Sequence, residues 1–187
     1  ESNSVYATKW SAIGLLADVY LDMGDFPTAL SYANQIINSG QFSLDDLDRF
    51  EGGGTTENIF FIKSTFPVDE RGLGFKNNYR SDAPDANPTM RTTKAFYDLA
   101  TSDTNDLRGK KWFRVLNPGE SNEAWGVAKF DWSYMDVPVV DYTRTILVKA
   151  ECLYEAGDFN GCLAELNKLR TRAGVSQLTF NGEIETY

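Results

Sequence analysis

The chain has 187 residues, 42% hydrophobic and 24% charged, with a formal charge of −9 and no histidine. That composition suits a folded domain, and its acidity disfavours nucleic-acid phosphates and anionic headgroups as partners. Without histidine there is no Ser–His or Cys–His nucleophile, and with only 2 cysteines there is no His-bound or four-cysteine zinc site. No apolar run is long enough to span a membrane, so a spanning helix is not expected.

Residues 5–23 show helical spacing, with Ile13, Leu16, Ala17 and Tyr20 on one stripe and Trp10 one turn earlier as core. Gly24-Asp25 stops that helix. Phe26-Pro27-Thr28 starts a second one, whose apolar face is Ala29, Leu30, Ala33, Ile36 and Ile37, and Asn38-Ser39-Gly40 ends it. Residues 41–56 read as an acidic, then Gly-rich loop, and Asn58 to Lys63 as a strand. Residues 64–90 read as a long irregular loop, a kind that usually serves a function. Thr92 to Ala100 reads as a helix and Ser102 to Gly109 as a turn. Trp112–Val115 and Trp125–Trp132 read as the strands of a small hairpin about Asn117-Pro118-Gly119. Asp141 to Ala156 is helical, with Ile146, Leu147, Ala150, Leu153 and Tyr154 expected inward. After Gly157-Asp158-Phe159, Cys162, Leu163, Leu166 and Leu169 continue at helical spacing to Ala173-Gly174.

The two helix pairs are copies. With Gly24-Asp25-Phe26 laid on Gly157-Asp158-Phe159, Ile13 meets Ile146, Ala17 meets Ala150, Ala29 meets Cys162 and Ile36 meets Leu169. Small residues on both helices allow close antiparallel crossing, and each glycine supplies the positive φ of the turn. The unit resembles a tetratricopeptide hairpin. The fold class expected is mainly α: tetratricopeptide-like hairpins at 5–40 and 140–174, with a loop-rich insert at 41–139 holding short β segments. All of it reads as one domain fragment, cut at both ends from a longer protein.

Cys152 and Cys162 read as two small buried thiols, with pairing across the hairpin as the alternative. Asp45, Asp46 and Asp48, and Asp103, Asn105 and Asp106, lack full EF-hand spacing and read as turn or cap residues, not calcium ligands. No metal and no cofactor is expected.

Four segments, in order, resemble one family. They are Ile36-Ile37-Asn38-Ser39-Gly40-Gln41-Phe42-Ser43-Leu44, then Glu57-Asn58-Ile59-Phe60, then Lys149-Ala150-Glu151-Cys152, and last Leu166-Asn167-Lys168-Leu169-Arg170-Thr171-Arg172-Ala173-Gly174. Together they resemble the SusD/RagB family, in its C-terminal part. One departure is that Asp141 and Arg144 stand where the family usually has Arg and then Glu. The resemblance implies a surface lipoprotein of the bacterial outer membrane, anchored by lipid outside this chain. It would capture glycan or another oligomeric nutrient for a TonB-dependent, SusC-like transporter, and bind it without hydrolysis.

Sugar rings offer flat C–H faces to aromatic rings and hydroxyls to polar groups, so a glycan site wants aromatics on loops beside polar side chains. The insert supplies them. Tyr79, Trp112 and Trp125 are the expected platforms, and Asn78, Arg80 and Asp82 the expected hydrogen-bonding groups. Two other functions compete. A tetratricopeptide scaffold would bind peptides on the hairpins' concave face. A two-carboxylate glycosidase has acidic residues in plenty, but the resemblance argues against catalysis.

Overall fold

The computed structural model describes residues 6–47, 55–64, 78–79, 88–131 and 135–181. The two expected turns have one backbone design. Gly24 and Gly157 have φ of 75° and 78°, and each is followed by an aspartate that caps the next helix. Asp25 accepts from the Thr28 N–H at 3.2 Å, and Asp158 from the Gly161 N–H at 2.9 Å. The elements so joined are α1 (Lys9–Asp22) with α2 (Phe26–Asn38), and α5 (Tyr142–Glu155) with α6 (Phe159–Arg172). Ala17, Ala29, Ala150 and Cys162 are all buried, so the small-residue crossings form in both copies.

The pairs pack in series, α1 on α2, α2 on α5 and α5 on α6. That series makes α5 an inner helix with partners on two sides. It therefore buries Ile146 and Ala150, and also Val148 and Cys152, while Leu147 and Tyr154 are exposed. This corrects the expectation that Leu147 and Tyr154 face inward. A single stripe describes a helix with one partner, and α5 has two. Leu16 on α1 is likewise exposed, beside Leu15, Val19 and Met23.

Cys152 and Cys162 are buried free thiols. Burial, with Glu151 adding to it, pushes the Cys152 thiol up to about 11.

Between the pairs lie β1 (Asn58–Ile62), α3 (Lys94–Ala100), α4 (Leu107–Trp112), β2 (Phe113–Leu116), β3 (Ala124–Val127), a 3-10 turn (Ala128–Phe130) and β4 (Val137–Asp141). Strands β2 and β3 form the expected hairpin, with Phe113 opposite Val127 and Val115 opposite Trp125. Three elements depart from the sequence reading. Strand β3 ends at Val127, and Ala128–Phe130, expected as strand within Trp125–Trp132, form a 3-10 turn. Asp106 caps α4 where a turn ending at Gly109 was expected, so Trp112 closes a helix instead of opening a strand. Strand β4 pairs antiparallel with β1, placing Val140 beside Ile59, Ile36, Trp10 and Phe42 in one buried cluster. Trp10 is thus core, edge-on to Phe42 at 6.1 Å.

Glu165 on α6 is buried and ties the second pair together, meeting Lys149 of α5 at 2.8 Å and Lys168 of its own helix. Burial disfavours its charge, but the hydrogen bonds from Lys149 and Lys168 outweigh that and hold the carboxyl below its ordinary value of 4.5. A depressed carboxylate stabilises the fold above its unfolded pKa, and that stability is lost as pH falls through the folded value. Thermal melts should therefore show Glu165→Gln less stable than the native chain near neutral pH, with the difference shrinking as pH falls below about 4. Parallel curves across the acid range would refute this role.

Candidate functional site

The insert is fastened to the helices by one buried polar node. Glu57, just before β1, has 0% exposure. Its carboxylate accepts from the Arg172 guanidinium at the end of α6 and from the Thr143 hydroxyl on α5. It also accepts from the Asp45 N–H at 3.0 Å. Arg172 donates in turn to Thr143 Oγ1 at 3.2 Å and to the Asp45 carbonyl at 3.4 Å. The Glu57 carbonyl accepts from the Tyr142 N–H at 2.8 Å. Charge removed from water is tolerable only when paired and hydrogen-bonded, and this node provides both for the Glu57 carboxylate, while the buried Arg172 Nε has no partner among the described residues.

The two residues after Arg172 hold the other side of the insert. The Ala173 carbonyl accepts from the Leu107 N–H at 2.9 Å. Gly174 has φ of 77°, and a Cβ there would stand 3.1 Å from the Asn105 carbonyl. Arg-Ala-Gly is therefore a connector: one side chain into the node, one carbonyl to α4, and one residue whose positive φ favours glycine. Upstream, Asn167 exchanges two 2.8 Å hydrogen bonds with the Leu178 backbone, and Arg170 donates to the Ser176 carbonyl at 2.7 Å.

Starting from that attachment, α4 presents Trp112. Asp106 caps the helix and grips Arg108 side chain to side chain at 2.7 Å. The hydrogen bond from Arg108 holds the Asp106 carboxyl below its ordinary value, although burial opposes this. Gly109 is needed beneath α4, because a Cβ there would fall 2.5 Å from the Ala100 carbonyl. Trp112 is half-buried, and its indole N–H donates to the Leu47 carbonyl at 3.3 Å. The Lys129 ammonium lies 4.9 Å from its ring centre and 5.4 Å from that of Phe130. Phe130 in turn meets Tyr79 at 5.2 Å. Tyr79, Phe130, Lys129 and Trp112 thus form a continuous ring–cation assembly from three separate segments. Arg114 pairs with Asp131 at 3.1 Å and holds the 3-10 turn against β2.

Trp125 is half-buried on β3. Its carbonyl accepts from the Thr92 N–H at 2.9 Å, and the Lys94 ammonium lies 5.9 Å from its ring centre. Asn78 is exposed, and its carbonyl accepts from the Met90 N–H at 2.8 Å. Arg80 and Asp82 lie outside the described residues. Lys129, Phe130 and Phe113 escaped the sequence reading because they fell inside stretches read as plain strand. Asp103 and Asp106 serve as turn and cap: Asp103 accepts from the Asn105 N–H at 2.8 Å. Among the described residues no group of three or more Cys, Asp or Glu is placed to hold a metal, and no helix is long and apolar enough to cross a membrane.

The family model for the SusD family matches residues 45–186. Solved structures with the same fold include a SusD superfamily protein from Bacteroides thetaiotaomicron, at 20% identity and TM-score 0.79 over 96% of this chain and 45% of that one. A SusD-like carbohydrate binding protein from Bacteroides vulgatus matches at 14% identity and TM-score 0.75, over 97% of this chain and 40% of that one. Surface glycan-binding protein A from Bacteroides uniformis matches at 19% identity and TM-score 0.71, over 95% and 45%. The chain spans less than half the length of each of these relatives. No protein with a curated description matches it.

The node gives a stability test. Removing one partner of a buried ion pair strands the other, so Arg172→Ala should cost about 3–5 kcal/mol in urea unfolding. Replacing both partners by apolar residues, Glu57→Leu with Arg172→Met, should be milder than either single truncation. A double variant whose loss equals the sum of the single ones would show that the two residues do not act as a pair.

Proposed function

Because the chain belongs to the SusD family, we propose that it is a non-catalytic glycan-binding module whose binding face is carried by the insert. The observation that carries this reading is the assembly of Tyr79, Phe130, Lys129 and Trp112, with Trp125 on the adjoining hairpin. Rings half-exposed on fixed backbone can stack on the C–H faces of a sugar, while Lys129 and Asn78 donate to its hydroxyls. Arg80 and Asp82 belong to this proposal as neighbouring hydrogen-bonding groups. Two structural relatives, a SusD-like carbohydrate binding protein and a surface glycan-binding protein, support the same ligand class.

In the full-length protein the module would sit at the cell surface, lipid-anchored to the outer membrane. It would pass glycan to a TonB-dependent, SusC-like transporter. Its role would be retention of the oligomer, with no bond broken.

Affinity electrophoresis in gels containing amylopectin, xylan or mucin tests this directly. At least one polysaccharide should retard the chain. Trp112→Ala, Trp125→Ala and Tyr79→Ala should each weaken that retardation roughly tenfold, equivalent to about 1.4 kcal/mol. Incubation with the retarding polysaccharide should release no new reducing ends. Retardation that survives all three substitutions would place the ligand elsewhere, and a rise in reducing ends would make the protein a hydrolase.

A further inference from the structure

A cleft between α3 and α4 takes no part in the assembly above. It has a volume of about 280 Å³ and is open to solvent, and its lining includes Tyr97, Phe113, Asp103, Thr104 and Lys110. Among the described residues, the Tyr97 hydroxyl, the Thr104 hydroxyl and the Lys110 ammonium have no hydrogen-bond or ionic partner, and Asp103 commits one carboxylate oxygen to the Asn105 N–H. The cleft therefore brings together two aromatic residues, one acceptor and several donors that no other described residue uses.

Those groups select a ligand chemistry. An apolar ligand would strip water from Asp103 and Lys110 and return no hydrogen bonds. An anionic ligand would face the Asp103 carboxylate. A neutral polyhydroxylated ring satisfies every wall: C–H surface for the rings, O–H donors for Asp103 and acceptors for Lys110 and Thr104. The volume lies just below the usual range for drug-sized ligands, roughly 300–1,000 Å³, and suits one ring.

Phe113 also connects the cleft to Trp125. Val115 is directly opposite Trp125 on the hairpin, and side chains alternate along a strand, so Phe113, Val115 and Trp125 share one face. Phe113 stands diagonal to Trp125, at a backbone separation of roughly 7–8 Å. Phe96 of α3 extends the same strip, meeting Phe113 edge-on at 5.8 Å while itself 52% exposed.

We propose that this cleft is a subsite for one neutral sugar residue of the oligosaccharide that stacks on Trp125. The proposal rests on the glycan-binding reading and adds where a neighbouring residue of the bound chain is held. Titration of the isotope-labelled full chain with maltohexaose, xylohexaose and cellohexaose, followed by amide and indole NMR, tests it. An oligosaccharide that shifts the Trp125 indole signal should shift the Gly109 and Lys110 amides with the same midpoint. Lys110→Ala and Thr104→Val should each raise that midpoint about three- to tenfold, the range of one lost hydrogen bond. If the Trp125 signal moves while the Gly109 and Lys110 amides stay still, or if both variants bind as the native chain does, the cleft is no subsite although glycan binding stands. If none of the three moves any of these signals, the cleft proposal falls, and the glycan-binding reading falls with it only if no polysaccharide retards the chain either.

Discussion

The buried pairing of Glu57 with Arg172 is the constraint on which the architecture turns. Glu57 precedes the first strand, Arg172 ends the last helix, and Thr143 lies on the helix between them in space. One carboxylate thereby joins Asp45 and the start of β1 to the second helical pair. Its cost in desolvation is offset only because both oxygens are occupied, by Arg172, Thr143 and the Asp45 amide. Such a node favours one arrangement over its neighbours: any shift that uncouples Arg172 leaves a charge in a site closed to water. Apolar packing alone tolerates sliding far better.

The helical pairs were legible in the sequence because their determinants are local. A glycine with positive φ, an aspartate cap and small residues at the crossing all lie within one hairpin, and they recur in the second copy. What was not legible depends on contacts between distant segments. The burial of α5 on two sides comes from its place in the stack, which no single-helix periodicity encodes. Strand β4 was hidden because Val137-Pro138-Val139-Val140 has a partner some eighty residues earlier in β1, and its proline argues for loop when read alone. Helix α4 is only six residues long and carries a glycine, so propensity speaks against it. It persists because Asp106 caps it and Ala173 anchors its first N–H.

The candidate site divides along the same line. Aromatic residues in a Pro- and Gly-rich stretch marked Tyr79, Trp112 and Trp125 without any knowledge of the fold. Lys129 and Phe130 became visible only as the groups that bridge them, since a lysine and a phenylalanine beside a strand have no distinctive spacing. The Asn78 carbonyl accepts a backbone bond from Met90, which sequence cannot foretell.

Node and platform are coupled through two short backbone segments. Asp45 bonds to both Glu57 and Arg172, and two residues later the Leu47 carbonyl receives the Trp112 indole N–H. Arg172 bonds to Glu57, and one residue later the Ala173 carbonyl receives the first N–H of the helix that ends in Trp112. Trp112 is thus held at its side chain and through its helix by segments that share one buried carboxylate. An aromatic platform binds well only if its orientation is set before the ligand arrives, because every torsion frozen on binding subtracts from affinity. On these contacts the most buried ion pair in the described fold lies far from the exposed rings in sequence, yet it sets the geometry of one of them. Glu57 and the Arg172-Ala173-Gly174 segment therefore act as the frame from which the insert presents Trp112.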